Sequence, residues 1–449
     1  MHIVSQILFL LLLGATAYIV SKRIRFISRA IKTGKPENRT DRPTERMNNM
    51  LLMAFGQKKM FDKPLIGFMH FIIYAGFLLV NIDVLEIIID GIFGTHRVTA
   101  PFLGSFYGFM ISFFEILAIG VIIVCVIFLW RRNVQKTARF QSAEMKQWPR
   151  LDANIILCAE ILMMLAFFKM NASDNILQQR GVPGYHHTGS FLISGMLAPV
   201  YNMFSTPMLI FAERAAWWFH IIGVMAFSVY VTFSKHLHIV LAFPNSYYAR
   251  LSPVGEVHNM PVITREVKMM LGLPVEEPIA GDLNAQAEAP TEPGRFGAKD
   301  INDLSWKNLM DAMACTECGR CTAQCPANLT GKKLSPRKIM MDTRDRMEEV
   351  GKSIDNGGPG LEDGKSLYGD YITKEELLAC TTCNACTEAC PVSINPLDII
   401  VDLRRYMIME ETSAPASWNS MFSNTENNMA PWAFPPSDRA NWVEKAEKQ

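Results

Sequence analysis

Eight of the ten cysteines in this 449-residue chain follow one spacing pattern, C-x2-C-x2-C-x3-C-P, which occurs twice. The first copy is Cys315, Cys318, Cys321 and Cys325 before Pro326, and the second is Cys380, Cys383, Cys386 and Cys390 before Pro391. Three closely spaced thiolates in one loop suit a cubane cluster, and the fourth cysteine of such a run ligates the other cluster of a pair. The pattern therefore predicts two [4Fe–4S] clusters, and electron transfer as the chemistry.

The crossed arrangement assigns each cluster three cysteines from one copy and one from the other. Cluster 1 is expected to use Cys315, Cys318, Cys321 and Cys390, and cluster 2 to use Cys380, Cys383, Cys386 and Cys325. Disulfides or two structural zinc sites are the alternatives, but zinc takes paired C-x2-C units and needs neither the third cysteine nor the proline. Cysteines that act as thiolate ligands favour a reducing compartment.

The long apolar runs are confined to residues 1–245, so the net charge of +1 averages two very different halves. About 20 apolar residues are needed to cross a bilayer as a helix. Five stretches qualify or nearly do: roughly 3–20, 65–89, 103–130, 152–169 and 210–233. A sixth stretch, 188–206, contains Gly195 and Pro199 and is expected to be a short interfacial or re-entrant piece.

The charges of the loops predict the orientation of these spans. Basic residues crowd 22–63 and 131–150, whereas 90–102 and 170–208 carry one each. Because basic loops stay on the cytoplasmic side, we expect the N-terminus outside and the cysteine motifs in the cytoplasm of a bacterial-type inner membrane. The first apolar run lacks a basic flank before it, so a retained anchor is favoured over a cleaved signal peptide. The reducing compartment and the loop charges agree.

The predicted fold class is all-α: a five-span transmembrane helical bundle followed by a cytosolic α-helical ferredoxin-type domain with two [4Fe–4S] clusters. In the second part, Thr373 to Glu376 form a capping box that opens a helix into Cys380, and Ser335-Pro336 opens another that runs to about Met347. The expected division is a membrane domain at 1–245, a linker at 246–300, a dicluster domain at 301–411 and an irregular tail at 412–449.

Histidines in the apolar half are candidates for haem ligation, because ionisable groups inside spans are functional by default. His220 and His238 are 18 residues apart. On one helix that spacing is five turns, which puts both on one face about 27 Å apart, close to the hydrocarbon thickness. Two b-type haems stacked across the membrane would need that arrangement. His70, in the cytoplasmic half of the second span, is expected to pair with His238, whereas His236 is a poorer candidate.

An outer haem would lack a second ligand from the second span. For His220 the partner candidates are His96, His186 and His187 in outer loops; otherwise His220 bonds a neighbour or lines a quinone pocket. Glu115 in the third span is a second candidate for a quinone site, since a carboxyl at that depth needs a partner or a role. Asp83, Glu86 and Asp90 share a face of the second span and either transfer protons or form interhelical hydrogen bonds.

The five-span layout with histidines 18 apart resembles the cytochrome b subunit of respiratory nitrate reductase and the membrane subunits of heterodisulfide-reductase-type complexes. That resemblance implies that His220 and His238 each ligate one haem, and only His70 matches the ligands of the family's second span. Residues 296–346 and 380–391, with Trp306 and both cysteine loops, resemble heterodisulfide-reductase-like iron–sulfur oxidoreductases.

Fused relatives of this kind continue into CCG domains. No Cys-Cys-Gly occurs here, although 424–443 resembles the segment that precedes such domains, so we expect a separate CCG-type iron–sulfur subunit to dock on the cluster domain and the 412–449 tail.

The expected function is a membrane electron-transfer subunit of a quinone-linked oxidoreductase. Electrons would pass between a cytosolic partner, possibly fed by electron-transfer flavoprotein, and menaquinone or another quinone through two clusters and one or two b haems. Two alternatives stay open: a haem-free tethered ferredoxin that acts as an assembly platform or redox sensor, and the membrane subunit of a thiol/disulfide reductase complex. Nothing indicates nucleic acid as a partner.

Overall fold

The computed structural model describes residues 3–189, 191–253, 255–275 and 295–447. These residues are mainly helical and contain no strand; two isolated β-bridges, Lys35 with Ser305 and Tyr368 with Ile372, are the β-type pairings among them. The all-α fold class is therefore confirmed.

Five helices within the described residues are long and apolar enough to cross a membrane, as expected. They are α1 (Ile3–Lys32), α2 (Pro64–Phe93), α3 (Ser105–Asn133), α4 (Trp148–Gln179) and α5 (Thr206–Val231). α2 begins at a proline, whose missing N–H costs nothing in the first turn, and ends at Gly94 in the left-handed conformation (φ 71°). The sixth apolar stretch forms two short helices, Leu192–Met196 and Ala198–Tyr201, between α4 and α5.

The last span is shorter than the histidine spacing argument assumes. α5 ends at Val231, and a capped 3-10 turn (Lys235–Leu237) leads into a separate helix, α6 (His238–Tyr247). Ser234 is extended there (φ −110°, ψ 158°), and its side chain accepts a hydrogen bond from the His236 N–H. The placement of His220 and His238 on one face of one continuous helix is therefore wrong, because this cap breaks the helix between them.

The cysteine-bearing part is built from helices with strong N-terminal caps. Its longer helices are α7 (Trp306–Ala314), α8 (Pro336–Asp355) and α9 (Pro396–Met409), with a short helix at Lys374–Ala379 that ends at Cys380. Ser335 caps α8, which runs beyond the expected Met347, and Thr373 with Glu376 forms the expected capping box. Short helices at Arg320–Gln324 and Ala385–Glu388 lie inside the cysteine runs, and another at Pro326–Leu329 follows the first run directly.

The cysteine-bearing part packs directly on the membrane helices. Phe26, Ile27 and Ala30, in the last turns of α1, belong to the same hydrophobic core as α7, α8 and α9. The Arg23 guanidinium bonds the Glu348 carboxylate on α8 and the backbone carbonyl of Thr232 just after α5. α1 is thus both a span and the helix on which the second domain sits.

The segments expected to be a linker and an irregular tail contain helices. A helix at Pro261–Met270 lies in the expected linker, and His258 bonds Asp398 and Asp402 on α9. The Pro/Ala/Glu patch at 286–293 lies outside the described residues. In the tail, helices occur at Ala416–Asn428 and Asn441–Glu447, which corrects the expectation of an irregular segment.

Candidate electron-transfer sites

The two cysteine loops have the same backbone shape. In the first, Glu317 and Gly319 have positive φ (53° and 73°), and at the matching positions of the second, Thr382 and Asn384 do too (55° and 59°). Left-handed residues on each side of the second cysteine curl the chain, which turns successive thiols towards one centre. The sequence repeat is therefore also a repeat of local structure.

The structure brings the thiols together in the crossed pattern. Four of them, Cys315, Cys318, Cys321 and Cys390, line one cavity. The other group is formed around Cys325, which is close enough to Cys380 and Cys386 for their charges to interact, while Cys383 lies nearby and is exposed. The ligand sets remain predictions, and this placement supports them.

The surroundings of the thiols fit iron–sulfur clusters. Backbone N–H groups of Thr382 and Ile394 point at Cys380 Sγ and Cys390 Sγ, each 3.4 Å away, as donors that tune a thiolate ligand do. Burial raises the pKa of Cys315 to about 11 and that of Cys390 to about 12. Such thiols need a bound cation to ionise at neutral pH, and cluster iron supplies that charge.

Contacts from the membrane domain hold the first cysteine loop. Lys235 Nζ, between α5 and α6, donates to Glu317 Oε2 at 2.6 Å, and Arg320 donates to the Lys59 carbonyl at 2.7 Å. Glu317 also pairs with Arg344 at 2.7 Å and is only 4% exposed. These cations hold the pKa of the Glu317 carboxyl below its usual value against the opposing effect of burial. The loop is thus fixed to the membrane side by buried charges.

A fully buried arginine makes a second contact between the cysteine-bearing part and the membrane domain. Arg337 donates to the carbonyl of Arg139 and to Glu144 Oε1, both at 2.7 Å, in the loop between α3 and α4. Sequence reasoning missed Lys235, Glu317 and Arg337 as site residues. The signal available for Glu317 was a charged residue inside a cluster loop, whereas nothing local marked the other two.

Three histidines, His70, His236 and His238, lie close together beside the first cysteine loop. His70 and His238 are close enough for their charges to interact, and the His236 ring lies 5.4 Å from that of His238. His70 Nδ1 is 3.0 Å from Gln57 Oε1, and His238 Nδ1 is 3.0 Å from the Lys235 carbonyl. When Nδ1–H is bonded in this way, Nε2 is the free ligand atom, which is the usual arrangement of metal-binding histidines. The described atoms therefore fit the predicted pair, with His236 in the same group.

His220, within α5, also has its Nδ1 beside a backbone carbonyl and its Nε2 available as a ligand atom. Its Nδ1 is 3.0 Å from the Met163 carbonyl, its Nε2 has no partner among the described residues, and it is 1% exposed. Of its three candidate partners, His186 and His187 are exposed in the loop after α4, and His96 lies 3.3 Å from Asp174. No contact joins any of them to His220 in the part of the chain that the structure describes.

Glu115 has a structural role that the sequence did not reveal. Its carboxylate accepts hydrogen bonds from Asn171, from the backbone N–H groups of Ile193 and Ser194, and from the Ser194 hydroxyl. It thereby anchors the first of the two short helices between α4 and α5. With its lone pairs occupied, Glu115 is a weaker quinone-site candidate than its depth suggested.

Comparisons with known proteins show what the chain is similar to. The 4Fe-4S dicluster domain family matches residues 314–394. The chain is 27% identical over 476 residues to the probable iron–sulfur-binding oxidoreductase FadF of Bacillus subtilis, covering 99% of this chain and 61% of FadF. It is 26% identical over 435 residues to the EtfAB:quinone oxidoreductase of Syntrophomonas wolfei, covering 91% of this chain and 55% of that protein. The chain therefore spans little more than half the length of these two relatives.

A shorter match, 34% identical over 172 residues, links the chain to a probable membrane-anchored ferredoxin of Chromohalobacter salexigens, with 35% of this chain and 25% of that protein covered. Other matches are subunits of heterodisulfide reductases from Methanosarcina species. No solved structure matches. The homologues of this chain are thus iron–sulfur oxidoreductases with a [4Fe–4S] dicluster domain, which confirms the heterodisulfide-reductase-like resemblance.

Proposed function

We propose that this chain is a membrane electron-transfer subunit that connects a cytosolic redox partner with the quinone pool through two [4Fe–4S] clusters and haem b. The observation that carries the proposal is one residue, Lys235, that contacts both the predicted haem ligand His238 and the first cysteine loop. The Lys235 carbonyl lies 3.0 Å from His238 Nδ1, while its ammonium group bonds Glu317 inside the first cysteine loop. The first cysteine loop and the His70–His238 pair are thereby held side by side, which supports electron transfer between the carriers they would bind.

The residues around the predicted carriers would position them and control their surroundings. A bound haem and the clusters would supply one-electron carriers, and the chain sets their separation, burial and hydrogen bonding. Gln57 orients the His70 imidazole, and the Lys235 carbonyl orients that of His238. The second cysteine group, with Cys383 exposed, is the natural contact for the partner.

The partner and the orientation belong to the same proposal. The name of the EtfAB:quinone oxidoreductase supports electron-transfer flavoprotein as the source of electrons and a quinone as their acceptor. A CCG-type iron–sulfur unit would dock near Cys383 and on the tail helix Ala416–Asn428, where Met421 and Phe422 are exposed. The basic loops favour a cytoplasmic location for this face.

The first test is a dithionite-reduced minus oxidised visible spectrum of the purified chain, with haem quantified per chain. We expect b-type haem in the wild type and its loss, or the loss of one of two haems, in His70→Ala. His258→Gln, at a histidine that bonds Asp398 and Asp402 on α9 and is not a candidate haem ligand, is the control and should keep the wild-type content.

The measured haem content distinguishes between the possible electron paths. Two haems per chain would call for a partner for His220, and one haem would restrict the proposal to the His70–His238 pair. A wild-type chain without haem would refute the transmembrane path and favour a tethered ferredoxin. Unchanged haem content in His70→Ala would refute the pairing.

A further inference from the structure

The loop between α3 and α4 is strongly basic and lies where the membrane domain meets the cysteine-bearing part. Residues 131–150 contain six basic residues and one acidic residue, Glu144. The Glu144 carboxylate already pairs with Arg337 at 2.7 Å. The loop therefore carries an excess of positive charge that its own carboxylate does not neutralise.

Two arginines of this loop have side chains without a hydrogen-bond partner among the described residues. Arg132, in the last turn of α3, and Arg139 share one aromatic ring: their Cζ atoms lie 4.3 Å and 4.9 Å from the centroid of Phe140. Arg132 Nη1 and Arg139 Nε are buried, and both side chains are otherwise partly accessible from the surface. Unpaired donors and two neighbouring cations are costly unless an anion binds them.

The carboxylates nearest to Arg132 have other partners. Arg132 is close enough to Glu317 and Asp152 for their charges to interact. Glu317 is bonded by Lys235 and Arg344, and Asp152 accepts hydrogen bonds from two hydroxyl groups of α5 and the turn after it. Within the described ranges, no carboxylate thus bonds the Arg132–Arg139 pair directly.

Two exposed tryptophans mark the depth of this pair in the membrane. Trp130, which is 53% exposed, precedes Asn133 by three residues on α3, and the Asn133 side chain bonds Asn154 on α4 at 3.1 Å. Trp148, which is 51% exposed, is the first residue of α4 and lies about 9 Å further from the membrane centre than that contact. Exposed indoles concentrate at the level of the lipid head groups. Arg132 lies between the two indoles, at the depth of the lipid phosphates.

We propose that Arg132 and Arg139 bind the phosphodiester of an anionic phospholipid in the leaflet next to the cysteine-bearing part. Guanidinium groups bind phosphate oxygens through paired, charge-assisted hydrogen bonds, and basic sites at the ends of transmembrane helices suit acidic lipids. The Phe140 ring holds the two cations in place before the lipid binds. Because the site lies at the surface, it needs no enclosed cavity.

A bound lipid would also steady the first cysteine loop. The Arg139 carbonyl accepts a hydrogen bond from Arg337 at 2.7 Å, and the Arg139 side chain is close enough to Cys318 for their charges to interact. A phosphate held by Arg139 would therefore fix the membrane loop on which the cysteine loop rests. The binding itself requires neither cluster nor haem, so this proposal is independent of the proposed function.

Two other anions fit the position less well than a lipid phosphate. A haem propionate would lie near His70, but the charges that interact with His70 are those of His238 and Arg320 and not those of the Arg132–Arg139 pair. Free phosphate would satisfy the same donors, but the exposed tryptophans beside them favour an anion that carries acyl chains.

The test measures lipid binding to the full chain in dodecylmaltoside by isothermal titration, at about 0.15 M salt to screen diffuse attraction. We expect dihexanoyl-phosphatidylglycerol to bind at least about 10-fold more tightly than dihexanoyl-phosphatidylcholine. Arg132→Gln and Arg139→Gln should each raise the Kd for phosphatidylglycerol about 10-fold, and together about 100-fold, through the loss of charge-assisted hydrogen bonds.

Lys136→Gln combined with Lys146→Gln is the matched control. It removes the same charge from the same loop at two exposed lysines, and it should raise the Kd less than about threefold. Should the double arginine variant fail to fold, the two single variants and the preference of the wild type for phosphatidylglycerol carry the test.

Each contrary result has a definite meaning. Equal binding of the two lipids by the wild type, or equal effects of the arginine and lysine variants, would refute a specific site. Displacement of the lipid by an equal concentration of inorganic phosphate would make free phosphate the ligand and overturn the proposal. Loss of haem from the arginine variant with unchanged lipid binding, seen in the dithionite-reduced spectrum, would assign the pair to a propionate and also overturn it.

Discussion

Glu317→Gln tests the bridge between the cysteine loop and the membrane domain. The carboxylate is 4% exposed and pairs with Lys235 at 2.6 Å and with Arg344 at 2.7 Å. Removal of one partner from a buried ion pair costs about 3–5 kcal/mol, because the remaining charges stay buried without compensation. Since the amide keeps one acceptor oxygen, we expect a loss near the lower limit, about 3 kcal/mol.

The substitution should also change the redox properties of the carriers. It makes the surroundings of cluster 1 and of His238 more positive by one unit, which favours the reduced forms, so both reduction potentials should rise. A loss of about 3 kcal/mol lowers the unfolding temperature of a domain of this size by roughly 10 °C. The assay combines thermal unfolding, followed by cluster absorbance, with potentiometric titrations of the clusters by EPR and of the haem by visible absorbance.

Glu375→Gln is the matched control for this experiment. It also breaks a carboxylate–lysine pair, but Glu375 and Lys333 are 61% and 71% exposed. Exposed pairs contribute about 0–1 kcal/mol, so the control should shift neither stability nor potential appreciably. If Glu317→Gln proved as stable as Glu375→Gln and left both potentials unchanged, the buried bridge would not couple the two domains and our reasoning would be refuted.

Three further changes probe the cluster domain. Hydrogen bonds that His258 donates to Asp398 and Asp402 outweigh its burial and raise its pKa to about 9. Its contribution to stability is therefore full below pH 6.5 and lost as pH rises through 9. The hydrogen-exchange protection of the following helix, corrected for the intrinsic pH dependence of exchange, should fall over that range in wild type but not in His258→Gln. Arg346→Met removes a fully buried partner of two carboxylates and should cost about 3–5 kcal/mol, measured by thermal unfolding. Gly297→Ala should lower the yield of folded chain, because φ is 72° and a Cβ would collide with the Asp402 carbonyl; Gly357→Ala, at the same φ in open space, should be mild.

Much of the fold was predictable because its signals are local. Apolar run length set the five spans, the Thr373 capping box and the Ser335 cap set helix starts, and the spacing of the cysteines set the two loops. Each of these features depends on residues within a few turns of one another, where backbone hydrogen bonding and burial act directly on sequence. The crossed grouping of the thiols is predicted from the same motif.

The positions of His220 and His238 could not be predicted from local signals of this kind. Their 18-residue spacing has meaning only on an unbroken helix, and the cap at Ser234 ends α5 before His238. His238 nevertheless lies beside His70, because the turn and α6 place it there through contacts with the second domain. The helical repeat of about 3.6 residues applies within α5 and within α6, but it carries no information about the break between the two helices.

The sequence by itself determined the chemistry of this protein: thiolates spaced for two clusters, apolar runs long enough for a membrane, and histidines at suitable depths. Only the tertiary structure decided which of those groups act together. The Lys235–Glu317 bridge joins residues 82 positions apart, and the unpaired guanidinium atoms of Arg132 and Arg139 are recognisable only once every neighbour is in place. Local propensities carry no information about such pairs, because their energies arise from burial and contact between distant segments.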